Sequence, residues 1–166
     1  MQLWIKNILR FIVLLALQML LINNLHFIGL CHPCIYVLFL IALPQSMPRW
    51  TELIIGFITG LIIDIACNSL GVHSAACTLI AFIRPFLLNK ISLETQKKTD
   101  EPSIQSLGFI AYFKLITILV LLHHSAIFFL SAFTWANWYI TLLQVLVSSI
   151  ISIGLILLYD ALLHRS

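Results

Sequence analysis

Charged residues are scarce in this chain: Asp, Glu, Lys and Arg make up only 9% of its 166 residues. A soluble domain has about 25%, so this sequence cannot cover a water-facing surface. Hydrophobic residues make up 61%, and the mean hydropathy is +1.08. We therefore predict an integral membrane protein, with room for roughly five or six spans of about 20 residues and no extramembrane domain.

Several motifs of known chemistry are also missing. Of the four cysteines, only Cys31 and Cys34 form a CxxC pair, and without a second pair they make no zinc framework. Cys31, His32 and Cys34 together lack a fourth metal ligand. The sequence contains no nucleophile elbow, phosphate loop or zinc-protease motif. A net charge of +3 is too small to indicate nucleic-acid binding. We predict no catalytic, cofactor or metal site.

The apolar runs predict an all-α bundle, because helices satisfy their own backbone in lipid. We expect one membrane domain over 1–166 with spans at about 11–22, 34–43, 53–67, 72–88, 107–131 and 139–158, and a polar loop at 89–106. The second run lies between Pro33 and Pro44 and is too short to cross a full bilayer. It thins the membrane locally, is shielded by neighbouring helices, or is re-entrant. The first run lacks a small-residue cleavage site, so we interpret it as an uncleaved span.

The basic residues alternate along the chain. They lie before span 1, between spans 2 and 3, at the connection of spans 4 and 5, and after span 6: Lys6, Arg10, Arg49, Arg84, Lys90, Lys97, Lys98 and Arg165. The other connections have none, and Lys114 can snorkel to the head groups. The positive-inside rule then predicts six crossings with both termini cytoplasmic, which favours a true crossing by span 2. The aromatic stretch 134–139 is typical of a membrane interface.

One ionisable residue lies inside the third span. Gly56, Gly60 and Asp64 are spaced four apart and so share one helix face. Glycines at this spacing allow close helix approach, while an ionised group at a helix centre costs roughly 2.5–3.5 kcal/mol. Three interpretations remain open: a packing face with a polar clamp, a carboxylate that handles a proton or ligand, and a docking face for a partner helix.

The turn after this span and the next span hold further candidates. His73 is either an interfacial histidine at the helix start or a partner of Asp64. Asn68 or Ser69 is expected to cap the next helix, and Gly71 to permit a tight turn.

Arg84 and Pro85 close the fourth span. We expect a positive-inside anchor beside a proline kink. The alternative is a contact with an anionic lipid or a cytoplasmic partner. The loop after it is either simply solvated or meets such a partner.

A cysteine pair and a histidine pair are the remaining candidate functional residues. Cys31 and Cys34 are interpreted as small hydrophobic residues, as a structural disulfide, or as a redox pair. Adjacent helical side chains point about 100° apart, so His123 and His124 are expected to form neutral interhelical hydrogen bonds rather than to chelate one ion.

The segment Gly56-x3-Gly60-Leu61-x2-Asp64, followed by Leu70-Gly71-x-His73-Ser74-Ala75, resembles the signature of the MreD family of bacterial rod-shape-determining membrane proteins. Ala81-Phe82-Ile83-Arg84-Pro85 is also similar to that family. The motifs cover about 30 residues; Ser74 departs from an expected Ala, and neither the short second span nor the CxxC pair is typical.

The resemblance implies a non-enzymatic component of the cell-elongation machinery in the bacterial cytoplasmic membrane. Its implied partners are an MreC-like membrane protein, an MreB-type filament and the peptidoglycan synthases. It also implies that Gly56, Gly60, Asp64, Gly71, His73, Arg84 and Pro85 serve helix packing or partner binding.

Two other functions stay open from the residues. One is a solute-binding transporter subunit that uses Asp64 and His73. The other is a membrane thiol oxidoreductase that uses Cys31 and Cys34.

Overall fold

The computed structural model describes residues 2–22, 31–95, 101–132 and 137–163. This part of the chain is helical and contains no strand. Its helices are α1 (Gln2–Leu17, continued as a π-helix over Gln18–Ile22), α2 (Val37–Ile41), α3 (Arg49–Cys67), α4 (Val72–Thr95), α5 (Ile104–Leu107), α6 (Phe109–Ala132) and α7 (Trp138–Leu163). The predicted all-α class is confirmed.

Four of the helices are long and apolar enough to cross a membrane: α3, α4, α6 and α7. By length and composition this finding indicates a membrane protein, and it does not support the predicted count of six spanning helices. The first predicted span is a 16-residue α-helix with a short π-helical end. The second contains only a five-residue helix, α2.

Helix α2 is short and lies inside the bundle. All five of its residues are buried, and it contacts α1, α4 and α6. The residues before it, 31–36, have no regular helix, and all except His32 are buried. Irregular backbone is tolerated at membrane depth only where protein covers it. Of the three alternatives for the second run, this arrangement matches shielding by neighbours.

The long helices pack in chain order, α3 against α4, α4 against α6, and α6 against α7. Residues 68–71 make the tight turn between α3 and α4. Asn68 has φ +54° and ends α3 in the left-handed conformation, and Gly71 has φ +87°. Gly71 suits this position because it has no Cβ to oppose a positive φ.

The predicted polar loop is partly helical. Helix α4 continues past Pro85 to Thr95, so the first seven residues of the predicted loop 89–106 extend that helix. Further on, Ser103 and Ser106 form a capping box at the start of α5. Glu101 Oε2 forms ion pairs with two residues of α1, at 2.9 Å from Lys6 Nζ and 3.6 Å from Arg10 Nη2. Residues 134–136 of the aromatic stretch, together with Lys97, Lys98 and Arg165, fall outside the described residues.

Candidate functional site

Asp64 ties the end of α3 to the start of α4. One carboxylate oxygen accepts hydrogen bonds from Ser69 Oγ at 2.7 Å and the His73 amide at 2.9 Å. The other accepts from the Ser74 amide at 2.8 Å and Ser74 Oγ at 2.5 Å. A carboxylate at a helix N-terminus satisfies free amides and complements the helix dipole. The geometry is that of the polar clamp, and it gives the unexpected Ser74 a role as a donor.

The same helix pair meets closely at two glycines. A Cβ on Gly56 would lie 2.8 Å from Ala81 Cβ and 2.9 Å from the Cys77 carbonyl oxygen. A Cβ on Gly60 would overlap the His73 carbonyl and Ser74 Cα. The face formed by Gly56, Gly60 and Asp64 is therefore the contact between α3 and α4.

Arg84 is only 1% exposed, so the expected interfacial anchor is wrong. Its Nη1 lies 2.7 Å from Glu52 Oε1. Its Nε donates to the Ile41 carbonyl at 2.9 Å, and its Nη2 donates to the Leu43 carbonyl. These partners fix Arg84 at the C-terminal end of α2, which leaves it unable to reach lipid head groups or a cytoplasmic protein.

A second arginine completes this cap. Arg10 Nη1 donates to the Ala42 carbonyl at 3.4 Å, so three successive carbonyls, those of residues 41, 42 and 43, each accept from an arginine. The last carbonyls of a helix lack partners within it and carry partial negative charge. The two arginines supply hydrogen-bond donors to these carbonyls and positive charge beside them at the end of α2.

Polar side chains also satisfy the irregular segment before α2. The Gln18 side chain accepts a hydrogen bond from the Ile35 amide at 2.9 Å and donates one to the Pro33 carbonyl at 3.0 Å. Ser148 and Ser152, one turn apart on α7, accept from the amides of His32 at 3.1 Å and Cys34 at 2.9 Å. The segment 31–43 is thus held at both ends by side chains from other helices.

Tyr36 and three histidines form a cluster around this segment, in which Tyr36, His123 and His124 are buried and His73 is partly exposed. The Tyr36 hydroxyl lies 2.8 Å from His73 Nδ1 and 3.1 Å from His123 Nε2. His124 Nε2 lies 3.2 Å from Ser152 Oγ, an interhelical hydrogen bond of the expected kind. We call Tyr36, His73, His123 and His124 the histidine cluster.

The four thiols do not form a disulfide. Cys31, Cys34 and Cys77 are buried, while Cys67 is exposed. Cys34 Sγ contacts the His32 carbonyl at 3.5 Å, and Ser148 Oγ lies 3.9 Å from Cys31 Sγ. These contacts do not favour a structural disulfide or a solvent-accessible redox pair.

A cavity of about 570 Å³ opens beside the histidine cluster. Its wall combines apolar side chains with polar groups, among them Gln18, His32, Cys34, Tyr36, His73 and Gln144. A concave site with few, convergent polar groups is typical of small-ligand binding.

Several of these residues were not predicted as site residues. Gln18 was visible as the one polar interruption of span 1, and the four-residue spacing of Ser148 and Ser152 places both on one face of α7. Tyr36 and Glu52 gave no comparable signal, because their partners His123 and Arg84 are distant in sequence.

The chain matches no protein-family model, no curated protein and no solved structure.

Proposed function

We propose that this protein is a non-enzymatic membrane scaffold of the bacterial cell-elongation complex, which binds an MreC-like partner. The observation that carries the proposal is the α3–α4 hairpin. The motif residues that resemble MreD lie in it, and Gly56, Gly60 and Asp64 hold its helices together. Their contacts are those of a rigid structural element rather than of a catalytic centre.

The proposal includes six crossings of the bacterial cytoplasmic membrane, with both termini cytoplasmic. The alternation of basic residues supports it. The ion pairs of Lys6 and Arg10 with Glu101 are in keeping with it, since they join the start of α1 to the connection before α5. In this topology the buried segment 31–43 serves as the second crossing.

Partner binding would use the outer face of α3. Phe57, Ile58 and Leu61 are exposed on this helix, while its glycine face is covered by α4. Within a bilayer, such a face suits lipid or an apolar transmembrane helix of the MreC-like protein. The MreB-type filament and the peptidoglycan synthases would belong to the same assembly.

A second candidate function is that of a small-solute-binding subunit. The cavity beside the histidine cluster favours it, as does the non-helical segment 31–36, part of which lines the cavity, because unwound backbone forms many transporter sites. His73 contributes to this wall. Asp64, the other residue expected to bind a solute, instead accepts hydrogen bonds from Ser69, His73 and Ser74 through both its carboxylate oxygens.

Depletion of the protein in its own cells tests the scaffold directly. We expect rod-shaped cells to widen and become round, because elongation-specific wall synthesis loses a membrane component. Cell width and length by microscopy are the readout, with plasmid-borne wild-type protein as the control for rescue. Normal cell shape together with loss of uptake of one solute would instead support the transport function.

A further inference from the structure

Three soft donor atoms meet in the interior of the bundle. Cys34 Sγ, one ring nitrogen of His123 and one of His124 all lie within 4.8 Å of one another, and all three residues are buried. We propose that this triad binds one Cu(I) ion. Bonds of about 2.0–2.1 Å to nitrogen and about 2.3 Å to sulfur separate two donor atoms of this triad by at most about 4.4 Å, so small side-chain shifts close the triad on an ion.

His124 is already oriented as a metal ligand. Its Nδ1 lies 2.9 Å from the Val120 carbonyl, which can only accept, so Nδ1 carries the proton. Nε2 therefore holds the lone pair, to which Ser152 Oγ donates, and an ion bound at Nε2 would take the place of that hydrogen bond. Metal-binding histidines usually donate their other N–H to a carbonyl or carboxylate in this way. Ser152 Oγ also accepts a hydrogen bond from the Cys34 amide, so this hydroxyl lies beside both residues.

His123 supplies the second, independent observation. Its Nε2 faces the Tyr36 hydroxyl at 3.1 Å and Cys77 Sγ at 3.8 Å. Its Nδ1 is buried and has no hydrogen-bond partner among the described residues. A buried polar atom without a partner costs about 1–3 kcal/mol. When Nε2 donates its proton to Tyr36, Nδ1 holds a free lone pair, and coordination of an ion removes that cost.

The charge and number of the donors favour Cu(I). One thiolate and two neutral imidazoles carry a single negative charge, so Cu(I) makes a neutral site. Zn(II) would leave a net positive charge in an apolar interior, where it is costly, and it usually requires a fourth ligand. Thiolate and imidazole are both ligands that suit copper. Binding replaces the S–H bond of Cys34 with an S–Cu bond and releases one proton.

The cavity gives the ion a route to the triad. Its wall includes Cys34 itself and three further groups able to hold a soft cation in passing: His32, Cys67 and His73. This inference does not depend on the scaffold function, because binding to the isolated protein is measured without partners.

Anaerobic titration of the detergent-purified protein with Cu(I), in competition with the chromogenic chelator bicinchoninate, tests the proposal. We expect one equivalent bound by the wild type. Cys34→Ala and His124→Gln each remove a donor atom, so each should lower the affinity by more than the about 10–100-fold that loss of a supporting contact costs. Cys31→Ala is the matched control, since it removes a buried thiol that contacts Ser148 rather than a residue of the triad, and it should keep the full affinity.

A spectroscopic measurement on the wild type covers the case in which a variant does not fold. X-ray absorption at the copper edge should show one sulfur and two nitrogen ligands. Absence of stoichiometric Cu(I) binding, unchanged affinity in folded Cys34→Ala, or two sulfur ligands would overturn the proposal. One equivalent of Zn(II) bound more tightly than Cu(I) by the same residues would overturn the assignment of the metal.

Discussion

Replacement of Arg84 by methionine is expected to destabilise the protein by about 3–5 kcal/mol, the usual cost of breaking a buried ion pair. The Glu52 carboxylate would remain buried without its cation. The carbonyls of Ile41 and Leu43 would lose their side-chain donor at the same time. Thermal unfolding in mild detergent should show a lower melting temperature, by roughly 10 °C at 2–4 °C per kcal/mol.

Arg49→Gln is the matched control for this change. Arg49 is exposed and lies 4.8 Å from the centre of the Phe86 ring, so its loss should cost no more than about 1 kcal/mol. Adding Glu52→Gln to Arg84→Met should cost less than the sum of the single changes, because it removes the stranded charge. If Arg84→Met melted at the same temperature as Arg49→Gln, the buried cap of α2 would be wrong.

Gly60→Ala is expected to disrupt the contact between α3 and α4. The added Cβ would overlap the backbone of His73 and Ser74, and backbone at the start of a helix cannot move aside as a side chain can. Overpacking typically costs about 1–3 kcal/mol, and this site should lie at the upper end. A shift of α4 would also stretch the hydrogen bonds of Asp64.

The chain offers graded controls for this substitution. Gly56→Ala meets Ala81 Cβ and the Cys77 carbonyl at 2.8 and 2.9 Å and should be less harmful. Gly154→Ala meets nothing within 4 Å and should raise helix stability by up to about 1 kcal/mol. Melting temperatures and yields should follow the order Gly154→Ala, wild type, Gly56→Ala, Gly60→Ala. Gly60→Ala with wild-type stability would contradict the close approach.

The sequence was sufficient for the class of the protein and for one helix face. Hydropathy predicts membrane helices because they are the longest apolar runs, and four such helices are present. A spacing of four residues puts Gly56, Gly60 and Asp64 on one face, and all three lie against α4. These features are local, so the sequence pattern carries them.

The interior of the bundle was beyond sequence reasoning. Hydropathy does not distinguish burial in lipid from burial in protein, so it could not show that other helices cover the segment containing α2. Position in the chain suggested that Arg84 lies at the surface, but its partner Glu52 is 32 residues away. The angle of about 100° between adjacent helical positions predicted that His123 and His124 would not face one point. In the structure a ring nitrogen of each lies within 4.8 Å of Cys34 Sγ, so that angle alone did not predict where the rings lie.

The scaffold function is tested most directly by a mild-detergent pull-down of the tagged protein from its own membranes. Mass spectrometry should identify both proteins and small molecules in the eluate. We predict an MreC-like protein and wall-synthesis proteins at levels well above an unrelated membrane-protein control, and less of them with Gly60→Ala than with Gly154→Ala at equal protein amounts. Recovery of an ATPase pair or a stoichiometric organic solute, without those wall-synthesis proteins, would contradict the scaffold function.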